Sequence, residues 1–351
     1  MAKVLLVYVN SFMDNLVPIG VSLLSACLKD AGHSVTLFDT TFYRTAEKTG
    51  DEARVESLQV RAVNLADYGI LEKGVQLEEG FRNAIKSSAP DFIALSVVET
   101  TWFIAERLLA VCREMKVISI VGGVHATMDA DAILDGGYSD YVCVGEGEGA
   151  IVDFASCIQE GKDCSGIRNI WTIREGKIVK NPLRPLVDLN SLPDQDWSIY
   201  EKERFYKPMG GWAWVCGPVE LDRGCAFKCS FCCNARLHEM YKQHGRYSRE
   251  RSVSKFISEL KDKISKYKLQ YVYIVSENFL QMNDARLEEF LSSYSSIGLP
   301  FWIETRPETV TADKLKKLKA VGCEGISIGV EHGNDGFRRK HLNRFIKDDI
   351  I

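Results

Sequence analysis

The chain has 351 residues, of which 46% are apolar and 26% are charged, and its formal net charge is −4. That length allows two domains with separate cores, and the mild acidity argues against general nucleic-acid binding through phosphate contacts. No stretch reaches the roughly 18 apolar residues of a membrane span, and Lys3 leads into a strand-like run rather than a signal peptide. We therefore expect a cytoplasmic protein whose eleven cysteines are reduced thiols.

Strand-like and helix-like stretches alternate over the first 150 residues. Short apolar runs typical of buried strands are separated by stretches with helical periodicity, and residues 42–80 interrupt this rhythm as a polar insertion. A strand–helix–strand order implies parallel pairing with right-handed crossovers. The sequence therefore predicts an N-terminal doubly wound, Rossmann-like parallel sheet. Its strands are predicted at 3–9, 34–38, 92–98, 117–121 and 141–144.

Four polar or glycine-containing loops follow these strands. Ligands of doubly wound sheets lie outside the carboxyl ends of the strands, at a topological switch point. Glycine in such loops lets a bulky ligand approach the backbone closely. The candidate ligand-binding residues in the loops are Asn10, Ser96, Gly122, Gly123, His125, Gly145 and Glu146.

A short hairpin and a proline-containing connector follow the first domain. Alternating residues at 170–173 and 178–179 flank a Glu-Gly turn, which is typical of a hairpin. Pro182, Pro185 and Pro193 then favour an extended, semi-rigid connector. We expect a first domain over 1–160, a linker over 161–205 and a second domain over 206–351.

The second domain again alternates strands and helices. Strands are predicted at 271–275, 301–304 and 325–330, after the apolar run that precedes the cysteines. Barrels of this kind carry active sites at the carboxyl ends of their strands, where polar clusters follow at 276–278, 304–306 and 331–334. Only four strands are found before residues 337–351, which are expected to start a further helix. The sequence thus predicts a partial TIM-like (β/α) barrel, either a truncated fragment or one whose edge a partner covers.

Three cysteines stand close together before the first helix of this domain. Cys225, Cys229 and Cys232 have the spacing Cys-x3-Cys-x2-Cys. Iron–sulfur clusters are usually held by four thiolates, so three ligands would leave one iron open to an outside molecule. The alternative is a closed structural zinc site completed by Cys216 or Cys323. The adjacent Cys233 is expected to be a buried or spare thiol, because neighbouring residues point in different directions and both are not expected to bind the same cluster.

This spacing, with Phe231 before the third cysteine, resembles the signature of the radical S-adenosylmethionine (SAM) superfamily. The Gly-Gly-x-His-Ala and Gly-Glu-Gly-Glu turns resemble those of cobalamin-binding domains, and the Asn-Pro and Leu-Pro-x-x-Asp-Trp connector resembles the bridge in proteins that combine both domains. The loop at 10–15 lacks the Asp-x-His-x-x-Gly motif of many cobalamin domains, so no histidine of this loop would ligate cobalt. A flavodoxin-like or nucleotide-binding sheet, or one that binds nothing, is the alternative for the first domain.

The resemblance implies three cofactors: a [4Fe–4S] cluster on Cys225, Cys229 and Cys232, SAM on its open iron, and cobalamin on the first domain. Residues 276–278 would contact the SAM amine, Arg306 its carboxylate or the substrate, and Glu331 the region of its ribose. Each could instead form an ion pair at the barrel mouth. The SAM-binding candidates are therefore Ser276, Glu277, Asn278, Arg306 and Glu331.

The resemblance further implies an enzyme, most simply a methyltransferase acting on an unactivated carbon or phosphorus. A 5′-deoxyadenosyl radical would remove a substrate hydrogen and methylcobalamin would supply the methyl group, so no catalytic base or nucleophile of the chain is required. A cyclase or rearrangement enzyme with the same cofactors, and a non-catalytic truncated homologue, are the alternatives. Expected partners are a small-molecule or peptide substrate and an external electron donor, with no nucleic acid.

Overall fold

The computed structural model describes residues 1–346, which form two compact units. The first unit contains Met1–Arg184 and Pro193–Ala213, and the second contains Pro185–Leu192 and the chain from Trp214 onwards. The connector is thus divided between them. Residues 347–351, the last part of the predicted helix at 337–351, lie outside the described residues.

Strands and helices alternate in the first unit. Its elements are β1 (Lys3–Tyr8), α1 (Ile19–Asp30), β2 (Ser34–Asp39), α2 (Gly50–Glu56), α3 (Leu77–Ser88), β3 (Phe92–Ser96), α4 (Trp102–Met115), β4 (Ile118–Gly122), α5 (Val124–Met128), α6 (Ala130–Asp135), β5 (Tyr141–Cys143), α7 (Glu148–Gln159), β6 (Ile170–Arg174), β7 (Lys177–Val179) and β8 (Tyr206–Met209).

The first sheet is doubly wound, as predicted. Its order is β2-β1-β3-β4-β5-β6-β7, in which β1 to β5 are parallel and the β6–β7 hairpin continues the sheet antiparallel to β5. The order changes direction between β1 and β3, which makes this the topological switch point. Val4 to Val7 are at most 1% exposed. Helices on both faces bury such a strand, which explains its continuous apolar run.

The part of the connector that belongs to the first unit is fixed by a buried arginine. Arg204 is 1% exposed. Its Nε donates to Asp39 Oδ2 at 2.7 Å, and its two terminal nitrogens donate to the carbonyls of Asp14 and Leu16 at 2.8 Å each. One side chain therefore ties the connector to the end of β2 and to the loop after β1.

The second unit repeats the alternation. Its elements are β9 (Trp212–Glu220), β10 (Asp222–Arg223), α8 (Cys233–Met240), β11 (Arg249–Glu250), α9 (Val253–Tyr267), β12 (Tyr271–Val275), α10 (Asp284–Tyr294), β13 (Phe301–Thr305), α11 (Ala312–Ala320), β14 (Cys323–Ile328) and α12 (Asp335–Leu342).

Four of these strands form the parallel run of a partial (β/α) barrel, in the order β14-β13-β12-β9. An aromatic core of Phe256, Phe290, Tyr294 and Phe301 packs where α9 and α10 cover the sheet. β14 begins and ends two residues earlier than predicted, so that Glu331 lies in the loop beyond it with a φ of +69°. No helix within residues 1–346 is long and apolar enough to cross a membrane.

Candidate functional site

The cysteine loop, residues 225–232, follows the carboxyl end of β9 and the short strand β10. Gly224 enters it with a φ of +84°, and a Cβ there would lie 2.5 Å from the carbonyl oxygen of Tyr247. Only glycine fits this turn without displacing backbone. Cys225 and Cys229 are 8% and 7% exposed, and the half-buried Cys232 precedes the first residue of α8.

Two buried guanidinium groups approach Cys229. Arg306 Nη1 lies 2.9 Å from its Sγ, and Arg344 Nη1 lies 3.9 Å from the same atom. Arg306 also covers the ring of Phe227, with 3.7 Å from its Cζ to the centroid. The sulfur of Cys229 thus faces two buried cations, which are here called the arginine pair.

Cys232 is stabilised as a thiolate by hydrogen bonds. Its pKa is lowered to about 5, chiefly because Cys233 donates to its sulfur and secondarily because Asn234 does. Asn234 Nδ2 also donates to Glu277 at 2.8 Å, and its Oδ1 accepts from the Tyr247 hydroxyl at 2.6 Å. Burial raises the pKa of Cys225. The thiolate is the metal-binding form of cysteine, so Cys232 is the cysteine whose hydrogen bonds favour that form, whereas burial opposes it at Cys225.

The two cysteines proposed to complete a zinc site lie at the opposite ends of the strands. Cys216 pairs with Tyr271, the first residue of β12, and Cys323 is the first residue of β14. The cysteine loop instead follows the carboxyl end of β9. Within residues 1–346 no three His, Cys, Asp or Glu side chains are arranged to hold a single metal ion.

Polar side chains after β12 form a second group. The hydroxyl of Ser276 donates to Asp222 Oδ2 at 2.6 Å, while Asn278 Oδ1 accepts from the hydroxyl of Thr305 at 2.8 Å. Asp222 Oδ1 and Asn278 Nδ2 are buried and have no partner within the described residues. Burial raises the pKa of Asp222 to about 7. Of residues 276–278, Asn278 is therefore the one with an uncommitted buried donor.

The remaining predicted residues of the second unit, Arg306, Glu331 and Glu277, are engaged in ion pairs or hydrogen bonds. Glu331 accepts from Arg344 at 3.2 Å, and Arg306 is bonded to Glu308 as well as to Cys229. The residue Glu277 is exposed as a whole, but its carboxyl, which accepts from Asn234, is partly buried, and this burial raises its pKa.

In the first unit, several predicted residues align at the carboxyl edge of the sheet. Ser96 and Gly122 are the last residues of β3 and β4 and pair in register, and Gly145 follows β5 by two residues. Gly123 has a φ of +99°, and a Cβ there would lie 2.5 Å from the carbonyl oxygen of Val97. The backbones of β3 and β4 therefore approach each other so closely at this edge that glycine is required.

The other three predicted residues of this edge are engaged within the unit. Asn10 Nδ2 donates to the Asp14 carbonyl at 2.7 Å and to the Thr41 hydroxyl at 2.8 Å. His125 lies in the short helix α5 rather than in an open turn, and its ring packs on Trp102 at 4.7 Å. The carbonyl of Glu146 accepts from a side-chain amide.

Two family models match separate parts of the chain. Residues 5–155 match the model described as the B12 binding domain, and residues 219–348 match the model of the radical SAM superfamily. The chain is a radical SAM protein with a B12-binding domain.

Curated relatives of this radical SAM protein include enzymes of two kinds. It is 23% identical over 266 residues to the anaerobic magnesium-protoporphyrin IX monomethyl ester cyclase of Rubrivivax gelatinosus, covering 72% of this chain and 46% of the relative. It is 22% identical over 319 residues to the cytidylyl-2-hydroxyethylphosphonate methyltransferase of Streptomyces wedmorensis, covering 81% and 55%. The chain spans about half the length of these curated relatives.

Solved structures of similar fold cover both units. The radical SAM methyltransferase TsrM of Kitasatospora setae, solved with tryptophan and a SAM analogue, superposes with a TM-score of 0.68 at 17% identity, covering 95% of this chain and 60% of that one. The cobalamin-dependent radical SAM enzyme OxsB, solved with aqua-cobalamin and SAM, superposes with a TM-score of 0.71 at 17% identity, covering 100% and 46%. At these identities the likeness concerns the fold.

Sequence reasoning missed three residues of the cysteine site. Asp222 and Asn234 are close to the cysteines in sequence, and an acid that directly follows an apolar strand was a usable signal for the first. Arg344 lies 115 residues from Cys229, in a stretch expected only to begin a helix. No local pattern connects it with the cysteines.

Proposed function

We propose that this chain is the cofactor-binding part of a cobalamin-dependent radical SAM enzyme that transfers a methyl group to an unactivated carbon or phosphorus. The observation that carries the proposal is the cysteine loop, which brings three thiols within eight residues and in which one of them, Cys229, contacts a buried arginine pair at the carboxyl ends of a (β/α) sheet. This is the end at which (β/α) barrels carry their active sites.

The residues present suit a [4Fe–4S] cluster. Cysteine thiolates are soft ligands of the kind that binds iron–sulfur clusters. Three of them would leave one of the four irons of a [4Fe–4S] cluster without a protein ligand. Bound there, the cluster and SAM would supply reductive cleavage of the sulfonium, and cobalamin would carry the methyl group. The chain's own contribution is to position these groups and exclude water from them. SAM is proposed to bind Asn278, whose buried Nδ2 has no partner within the described residues, together with Glu277 and Glu331.

The carboxyl edge of the first unit is proposed to hold the corrinoid. Ser96, Gly122, Gly123 and Gly145 present close-packed backbone there. His125 is proposed to line this edge rather than to ligate cobalt, because its ring is packed on Trp102 and its Nδ1 faces Asp129 at 3.5 Å.

Methyl transfer is preferred because TsrM and the phosphonate relative carry that activity in their names. Ring closure is the second candidate, supported by the cyclase relative. An external electron donor and a small-molecule or peptide substrate complete the proposal, and no nucleic acid is expected. We place the protein in the reducing cytoplasm, where its eleven free thiols would persist.

The test is anaerobic reconstitution of the full chain with iron and sulfide, followed by dithionite and SAM. Formation of 5′-deoxyadenosine that is lost in Cys229→Ala and kept in Cys216→Ala supports the proposal. Cys216 is a suitable control because it is buried at the far end of the strands. A reducible cluster that never cleaves SAM would instead identify a non-catalytic homologue.

The two reaction classes are then separated with methyl-labelled SAM and hydroxocobalamin. Label that enters the product supports methyl transfer, whereas a product with a new ring and no label supports cyclisation. If the full chain retains no corrinoid under these conditions, the assignment of the first unit is wrong.

A further inference from the structure

A distant segment of the chain holds the cysteine loop in place. The backbone N–H of Ser230 donates to the carbonyl of Leu342 at 3.2 Å, and its hydroxyl donates to the carbonyl of His341 at 2.5 Å. Asn343 Nδ2 donates in turn to the carbonyl of Lys228 at 2.7 Å. These three bonds bracket Cys229, so residues 341–344, here called the docking segment, determine where its sulfur lies.

The docking segment is itself held in place by the end of helix α12 and by a buried arginine of that helix. Helix α12 ends where Asn343 takes a left-handed conformation, with a φ of +51°. Arg338 is fully buried, and its two terminal nitrogens donate to the carbonyls of His332 and Ile346 at 2.7 and 3.3 Å. The turn that follows α12 is therefore closed by a buried side chain, and it presents Arg344 to the cysteine loop.

Arg344 reaches Cys229 as a buried cation that pairs with a carboxylate of the loop after β14. Its side chain is 4% exposed and pairs with Glu331, which is 34% exposed. Arg306 is 7% exposed and pairs with Glu308. Each guanidinium thus has a carboxylate neighbour, and in both a terminal nitrogen also points at the same sulfur.

We propose that Arg306 and Arg344 are positioning residues that raise the reduction potential of the cluster held through Cys229, an inference that rests on the proposed function. Reduction adds one negative charge to the cluster, and two buried cations at a ligand sulfur stabilise the reduced form more than the oxidised form. Net charge and hydrogen bonds to sulfur are established determinants of cluster potential. The low dielectric of a buried site strengthens their effect.

The test is a redox titration of the reconstituted cluster in the full chain without SAM, followed by electron paramagnetic resonance of the reduced form. In Arg344→Gln we expect the ratio of reduced to oxidised cluster at a fixed potential to fall about tenfold, which is 59 mV for a one-electron couple. Arg306→Gln should act in the same direction. Arg344→Lys keeps the charge and should restore most of the ratio.

Two further variants test whether the shift in potential comes from the charges at Cys229: one should leave the potential unchanged and the other should shift it in the opposite direction. Arg339→Gln removes an arginine of α12 that is 39% exposed and pairs with Asp335, so the potential should not change. Glu331→Gln removes the counter-charge of Arg344, so the potential should rise. A merely structural role of the docking segment would not produce shifts of opposite sign.

Unchanged ratios, within about twofold, in both Arg344→Gln and Arg306→Gln would overturn the inference. If Arg344→Gln assembles no cluster, Arg306→Gln and Glu331→Gln decide it, and shifts that do not oppose each other refute it. A wild-type chain that assembles no cluster refutes the proposed function and this inference with it. Failure at that first step is therefore distinguishable from failure of the inference alone.

Discussion

Removing Arg204 should loosen the loop after β1. The side chain bonds Asp39 and the carbonyls of Asp14 and Leu16 from a site that is 1% exposed. Breaking a buried ion pair from one side costs about 3–5 kcal/mol. Asp39 is 15% exposed and keeps its bonds from Thr41, so Arg204→Ala should cost about 3 kcal/mol, the lower end of that range.

Hydrogen exchange followed by mass spectrometry measures this cost locally. The N–H of Met13 donates to the carbonyl of Thr41 at 2.7 Å, so peptides over 10–17 report the opening of the loop. A loss of about 3 kcal/mol corresponds to exchange roughly a hundredfold faster.

The matched control is Lys73→Ala. It removes an exposed ion pair to Glu201, at 2.6 Å, in the same part of the connector. Exposed pairs contribute about 0–1 kcal/mol, so exchange should change less than about fivefold. Equal exchange in the Arg204 and Lys73 variants would refute the assignment of Arg204 as the buried tie.

Three further outcomes are expected. Gly224→Ala should lower the amount of iron retained after reconstitution, because the added Cβ would collide with the backbone of Tyr247. Gly245→Ala is the control: its φ of +118° is also unfavourable for alanine, but no atom lies within 4 Å of the added Cβ, so this variant should retain more iron than Gly224→Ala. Equal iron contents in the two variants would contradict this reasoning. Gly123→Ala should weaken hydroxocobalamin retention, measured by absorbance after gel filtration, while Gly137→Ala, at a φ of +61° in open space, should not. Burial raises the pKa of Asp222 to about 7. Between about pH 4 and 7 the folded chain therefore keeps a proton on Asp222 that the unfolded chain has released. The free energy of unfolding should accordingly fall as the pH rises from about 4 to 7. Asp222→Asn should flatten this slope in urea unfolding, and an unchanged slope would show that another group causes it.

Sequence periodicity predicted the strands and helices well because the parallel strands are buried on both faces. The continuous run at 3–9 corresponds to β1, and the alternation at 170–179 corresponds to β6 and β7. What the pattern could not reveal is that the hairpin continues the first sheet beside β5. Pairing of that kind depends on contacts between strands, which a single-chain pattern does not encode.

The residues of the candidate site also fall into those that the sequence could predict and those that it could not. The three cysteines were recognisable because their ligand spacing is local, and Gly224 precedes them for a steric reason that is also local. Arg344 was not recognisable, since it meets Cys229 across 115 residues of chain. Ser276 was expected to face a ligand, but its hydroxyl is engaged by Asp222, a pairing that only the packed strand ends create.

The docking segment also affects the order of events during protein synthesis. The bonds from Ser230 and Asn343 join residues separated by 111 and 115 positions. At a translation rate of about 5–20 residues per second, His341 is added about 6–22 s after Ser230. During that interval the three cysteines are already synthesised but lack the contacts that hold their loop. If the loop receives the proposed cluster only once it is preformed, delivery of iron and sulfide would follow translation of residues 341–344, and the nascent thiols would depend until then on the reducing capacity of their surroundings.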